Sequence, residues 1–157
     1  MEEETQPRWL DPEEQRIWHA FAYALVRLPA ALDAQMQRDA DISHFDYLVL
    51  SALSSMPEHT LRMSQLAHYT GGTLSRLSNV VAKLEKRGWV RREPDPSDGR
   101  YTLAILTTEG QDKVVASAPA HVEEVRRFVF DPLTRAQQRQ LGATSERILH
   151  AIDPDRP

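Results

Sequence analysis

The chain has no cysteine among its 157 residues. That excludes disulfides, thiolate zinc sites and thiol-based redox sensing. It has six glycines, and none builds a Gly-rich phosphate loop. There is no nucleophile elbow and no paired-carboxylate motif, so an enzyme reading has little support. No run of about 18 apolar residues occurs, so no membrane span is expected. The opening MEEETQPRW is acidic and lacks an apolar segment, so it does not read as a secretory signal, and the expected compartment is the cytoplasm. The six histidines, His19, His44, His59, His68, His121 and His150, are scattered with no i, i+4 pair. Neither a metal nor a cofactor is expected.

What is present is ordinary for a globular domain, 41% hydrophobic and 27% charged, with a net charge of -4. The distribution of that charge is less ordinary. Between Thr60 and Tyr101 eight basic residues face four acidic ones, a local excess of +4 that leaves -8 for the rest. Such asymmetry points to a localised anionic partner.

The chain order is legible from caps and periodicity. Asp11-Pro12-Glu13-Glu14 starts a helix whose apolar stripe runs to about Arg38, with Pro29 expected to bend it. Ser43 and Asp46 form a capping box for a second helix, with Phe45, Leu48, Val49, Ala52 and Leu53 expected inward. LRMSQLAHYT is a short third helix. Gly71-Gly72 forces a turn, and a fourth helix from about Thr73 to Arg87 is stopped by Gly88. An extended segment from Trp89, the turn Asp95-Pro96-Ser97-Asp98-Gly99 and a second extended segment to Leu106 form a hairpin. Thr107 or Thr108 caps a long fifth helix containing Pro119, expected to bend it, and Thr134 with Gln137 boxes the last. Three helices and a hairpin make a winged helix-turn-helix. The predicted fold is mainly α with a small two-stranded β-wing, plus a helical dimerisation region.

On the fourth helix Leu74, Leu77, Val81 and Leu84 share one face. The other carries Ser75, Arg76, Asn79, Lys83 and Lys86, with no carboxylate. Arginine reads guanine and asparagine reads adenine, while serine and lysine suit phosphates or either base. In this arrangement the helix enters the major groove by its N-terminal half. Arg100 at the hairpin tip could then reach the adjacent minor groove, positioned by Asp98.

The stretch LRMSQLAHYTGGTLSRLSNVVAKLEKRGWVRREPDPSDGRYTLAILTTEG resembles the MarR (multiple antibiotic resistance regulator) family of bacterial transcription regulators. The passage LxxRGWVRRE, the Asp-x-x-Asp-Gly-Arg tip and the exit LTxEG carry the resemblance. It implies a cytoplasmic homodimer that binds near-palindromic double-stranded DNA, usually as a repressor released by a small-molecule effector. It places DNA contact on Thr73, Ser75, Arg76, Asn79, Asp98 and Arg100, to which the helix face adds Lys83. Gly99 departs from the family, many of whose members have a charged residue there. A ligand pocket between the dimer helices and the DNA-binding lobe would draw on Trp18, Phe21, Tyr23, Phe45 and Tyr47. The expected organisation is an acidic tail (1–10), a dimerisation helix (11–42), the winged lobe (43–106), C-terminal dimerisation helices (107–152) and a tail (153–157). The competing reading is a winged-helix protein-interaction module without DNA binding; it calls for acids or apolar residues on the outward face of the fourth helix, and neither is there, Glu85 lying on the flank.

Overall fold

The computed structural model describes residues 7–154; most of the acidic tail and the last three residues lie outside that range. Six helices follow one another in the expected order, joined by three short strands. Helix α1 (Pro12–Ala40) opens on the Asp11 capping box, with Pro12 at its first position and Glu13 and Glu14 in its first turn. Asp41 closes it in the left-handed conformation, φ 53°. Helix α2 (His44–Ser54) is boxed by Ser43 and Asp46. After a 3-10 turn come strand β1 (Thr60–Arg62), helix α3 (Met63–Thr70) and helix α4 (Leu74–Lys86), the last capped by Thr73. Strands β2 (Val90–Pro94) and β3 (Thr102–Leu106) form the hairpin. Helix α5 (Thr108–Val125) passes into a π-helical turn (Arg126–Phe130), and α6 (Arg135–Ile152) ends the described chain.

The core sits in the central lobe: Leu50, Leu53, Leu66, Leu77, Val81, Leu84, Val90 and Ala104 are buried there, with Met36 of α1 and Val114 of α5 packed against them. Four expectations need correction. The sheet has three strands, in the order β1-β3-β2, and not two. Thr60 and Leu61, expected at or before the start of α3, instead pair with Ile105 and Ala104 of β3, so the helix begins at Met63. The open edge of β3 offers main-chain partners that a helical first turn would leave unused. In α2 the buried set is Asp46, Tyr47, Val49, Leu50 and Leu53, while Leu48 is exposed. Leu74, expected inward on α4, is 55% exposed, because it lies in the first turn, beyond the reach of the core. Pro29 lies inside α1 and Pro119 inside α5, and a π-helical turn follows at Arg126–Phe130, just before Asp131-Pro132.

Candidate nucleic-acid interface

Two elements present basic side chains side by side. Helix α4 starts just after Gly71, which ends α3 at φ +64°, and along its N-terminal half Thr73, Ser75, Arg76 and Asn79 are all exposed. No acidic residue lies in its first turn, so its positive dipole end is uncompensated and favours an anion. The hairpin stands beside it. A groove of about 290 Å³ separates the two, with Arg62, Ser64, Ser78, Arg92 and Arg100 among its lining.

The hairpin tip is held by an internal network. The Ser97 amide and hydroxyl both donate to Asp95 Oδ1, at 2.8 and 2.7 Å, and Arg62 Nε donates to Oδ2 at 2.7 Å. The Ser97 bonds first, then the Arg62 guanidinium, hold the Asp95 carboxyl down at about 2. Arg62 also lies over the Tyr101 ring, 4.4 Å from its centroid. Asp98 grips Arg100 in a two-pronged contact, Nε to Oδ1 at 2.9 Å and Nη2 to Oδ2 at 2.6 Å. The Arg100 side chain is nonetheless 83% exposed. Asp98 therefore fixes the direction of a guanidinium that projects into solvent. Arg62 was not singled out in the sequence; its partner Asp95 lies 33 residues away, and local spacing carries no trace of the pair.

Lys83 belongs elsewhere. Its ammonium pairs with the carboxylate of Asp46, which is fully buried on α2 and also accepts the Ser43 amide at 2.8 Å. Lys83 thus ties α4 to α2 and is not a free outward cation. Lys83→Ala is expected to lower unfolding stability by about 1–3 kcal/mol, since it strands a buried carboxylate, while leaving the salt dependence of DNA binding unchanged. Denaturant unfolding and a salt titration check both halves; an unchanged stability with a shallower salt slope would return Lys83 to the interface.

The five aromatics expected around a pocket do not converge. Trp18 and Phe21 lie 6.4 Å apart on the exposed side of α1, and Tyr23 is exposed beneath Arg27. Phe21 lines an apolar groove of about 450 Å³ with Leu25, Leu28, Phe128 and Leu141. Tyr47 packs on His121, at 4.6 Å between centroids, and His44 lies 5.4 Å from the same ring. Burial, joined for His44 by the nearby His121, pushes both imidazoles below their ordinary range. Among the described residues no three His, Cys, Asp or Glu side chains are grouped to hold a metal ion, and none of the helices is long and apolar enough to cross a membrane. The Phe45 ring packs against Gly72, in the turn that leads into α4.

The comparisons agree with this geometry. A sequence model of the MarR family matches residues 41–100. The uncharacterised HTH-type transcriptional regulator YdcH of Bacillus subtilis is 33% identical over 57% of this chain and 62% of its own length. The transcriptional regulator HosA of Escherichia coli is 33% identical over 50% of this chain and 57% of its own. The matched region thus spans about three fifths of these curated relatives. Solved structures match over nearly their full length. Sco3205, a MarR family transcriptional regulator from Streptomyces coelicolor solved in complex with DNA, is 46% identical, covers 96% of this chain and 94% of its own, and superposes with a TM-score of 0.92. AbsC, a MarR family regulator from the same organism, is 32% identical over 95% of this chain and all of its own, with a TM-score of 0.88. A winged lobe whose reading helix has no acid in its first turn, at this identity over this much of both chains, places the protein in one group: the chain belongs to the MarR family of transcriptional regulators.

Proposed function

We propose that the protein is a cytoplasmic, homodimeric repressor that binds inverted-repeat double-stranded DNA and responds to a small-molecule effector. Helix α4 enters the major groove and the hairpin wing reaches the adjacent minor groove. Residues 11–42 and 107–152 form the dimerisation region around a lobe of residues 43–106. One observation carries the reading: the N-terminal half of α4 exposes Thr73, Ser75, Arg76 and Asn79 with no acid among them, beside an Arg100 that Asp98 holds while its side chain stays exposed. Relatives support it. Sco3205 was solved with DNA, the Streptomyces coelicolor regulator PcaV, 25% identical, was solved with its natural ligand, and MprA of Escherichia coli, 23% identical, is named a transcriptional repressor. No residue is assigned a catalytic step.

The test is selection of duplexes from a randomised pool by the full chain, followed by binding of alanine variants. Two reading helices related by a two-fold axis require half-sites about 10 base pairs apart. Arg76→Ala and Asn79→Ala are expected to cost about 1–3 kcal/mol on the selected duplex and to narrow the gap to random DNA. Arg100→Ala is expected to weaken binding and flatten the salt slope by about one unit, most on duplexes with A·T-rich flanks. Enrichment of no sequence at all, or an Arg100→Ala variant indistinguishable from the parent at every salt concentration, refutes the respective part.

A further inference from the structure

The arginines of the winged lobe fall into two kinds. Arg62, Arg87, Arg91, Arg92 and Arg100 are each paired with a carboxylate, on Asp95, Asp41, Glu93, Glu85 and Asp98 respectively. Arg76 has no carboxylate partner among the described residues. Its guanidinium instead lies over the ring of Phe45, 4.0 Å from the centroid. Phe45 is the second residue of α2, half-buried against the core. The same ring fills the space over Gly72: a Cβ there would stand 2.7 Å from Phe45 Cζ. The turn before α4 is therefore shaped to admit this ring, and the ring in turn carries the exposed arginine of the first turn of α4.

We propose that Phe45 is a positioning residue for sequence recognition, a shelf that holds Arg76 ready for a base edge. This rests on the DNA-binding reading above and deepens it. A guanidinium is planar and weakly hydrated, so it lies flat on an aromatic face while its in-plane N–H donors stay free for a bidentate contact. A carboxylate partner would occupy those same donors; stacking restrains the side chain without using them. Much of the rotamer freedom a free arginine would lose on binding is then already lost, which favours the complex. Gly72 belongs to the same device, since a side chain at that position would displace the ring.

The test uses the full chain in four forms: the parent, Phe45→Leu, Arg76→Ala and the double variant. Each is titrated with the duplex the parent selects from a randomised pool and with randomised duplex of equal length. Phe45→Leu is expected to lower the selected-to-random affinity ratio about fivefold, the scale of a cation–π contact, and to leave binding to random duplex unchanged. In the Arg76→Ala background the same substitution is expected to change nothing further, because its effect passes through Arg76. A parental ratio in Phe45→Leu, or an equal further loss in the double variant, overturns the proposal; the latter would mean that the ring only supports α4 as a whole. Phe45→Met serves if thermal melting shows Phe45→Leu unfolded. A parent that enriches no duplex removes the DNA-binding reading and this inference together, whereas an enriching parent with an unaltered Phe45→Leu ratio removes this one alone.

Discussion

Gly110→Ala is expected to destabilise the protein by about 3 kcal/mol or more, lowering its melting temperature by about 10 °C. On helix propensity alone the substitution should help, since alanine is better than glycine inside a helix by about 1 kcal/mol. Space decides the other way. A Cβ on Gly110 would lie 2.1 Å from the Trp89 carbonyl oxygen and 2.7 Å from Leu106 Cδ1. The oxygen is main chain and cannot rotate away. It also accepts the Thr107 amide at 3.0 Å, while the Thr107 hydroxyl donates to the Gly88 carbonyl at 2.6 Å. Helix α5 thus starts pressed against the first residue before β2, and only glycine permits the approach. The consequence reaches the site, because this contact joins the base of the wing to the helix that leaves the lobe. Gly99→Ala is the control: no atom lies within 4 Å of a Cβ there, and it is expected to melt with the parent. If Gly110→Ala melts with the parent too, the contact is looser than the structure has it.

Gly110 also shows what the sequence can and cannot say. Its place in the motif LTTEG was visible, but its reason was not, since the clashing carbonyl lies 21 residues earlier in the chain. The same division runs through the fold. Caps are local chemistry, so Asp11, Ser43 and Thr134 all marked their helices in advance. So did Gly88, at φ +76°. Strand β1 left no such mark: three residues acquire extended structure only by pairing with β3, more than 40 positions on. Periodicity misjudged α2 because that helix is buried on more than one side. Asp46 and Tyr47 are as hidden as Val49 and Leu53, so a single apolar stripe does not describe it. At the interface the outward residues of α4 were legible from their types and spacing. Which of them are free was not: Lys83 has its partner on α2, and Arg76 its support there, each a contact between elements far apart in sequence.

Leu25→Glu is expected to abolish dimerisation and, with it, more than 100-fold of the affinity for the selected duplex. From Trp9 to Ala30 no residue is buried, and α6 buries none along its whole length. Yet these segments carry large apolar side chains in the open: Ile17 63%, Leu25 54% and Ile152 75% exposed. A helix of this kind, unpacked, is marginal in water, because helical stability comes mostly from burying an apolar face. An exposed apolar surface so long marks an interface. The proposed occupant is a second copy, whose equivalent helices carry the same faces and complete a two-fold assembly. The lobe between Met36 and Val114 has its own buried core, so a charge at Leu25 is expected to separate the subunits and leave each winged lobe folded. A single lobe then grips one half-site, and specific binding, typically 10³-fold or more above non-specific for intact regulators, falls toward the non-specific level. Sedimentation at micromolar concentration and titration with the selected duplex read the two effects. A parent that sediments as a well-folded monomer, or a Leu25→Glu variant that remains dimeric and binds as the parent does, would show that the apolar faces of α1 and α6 serve another purpose.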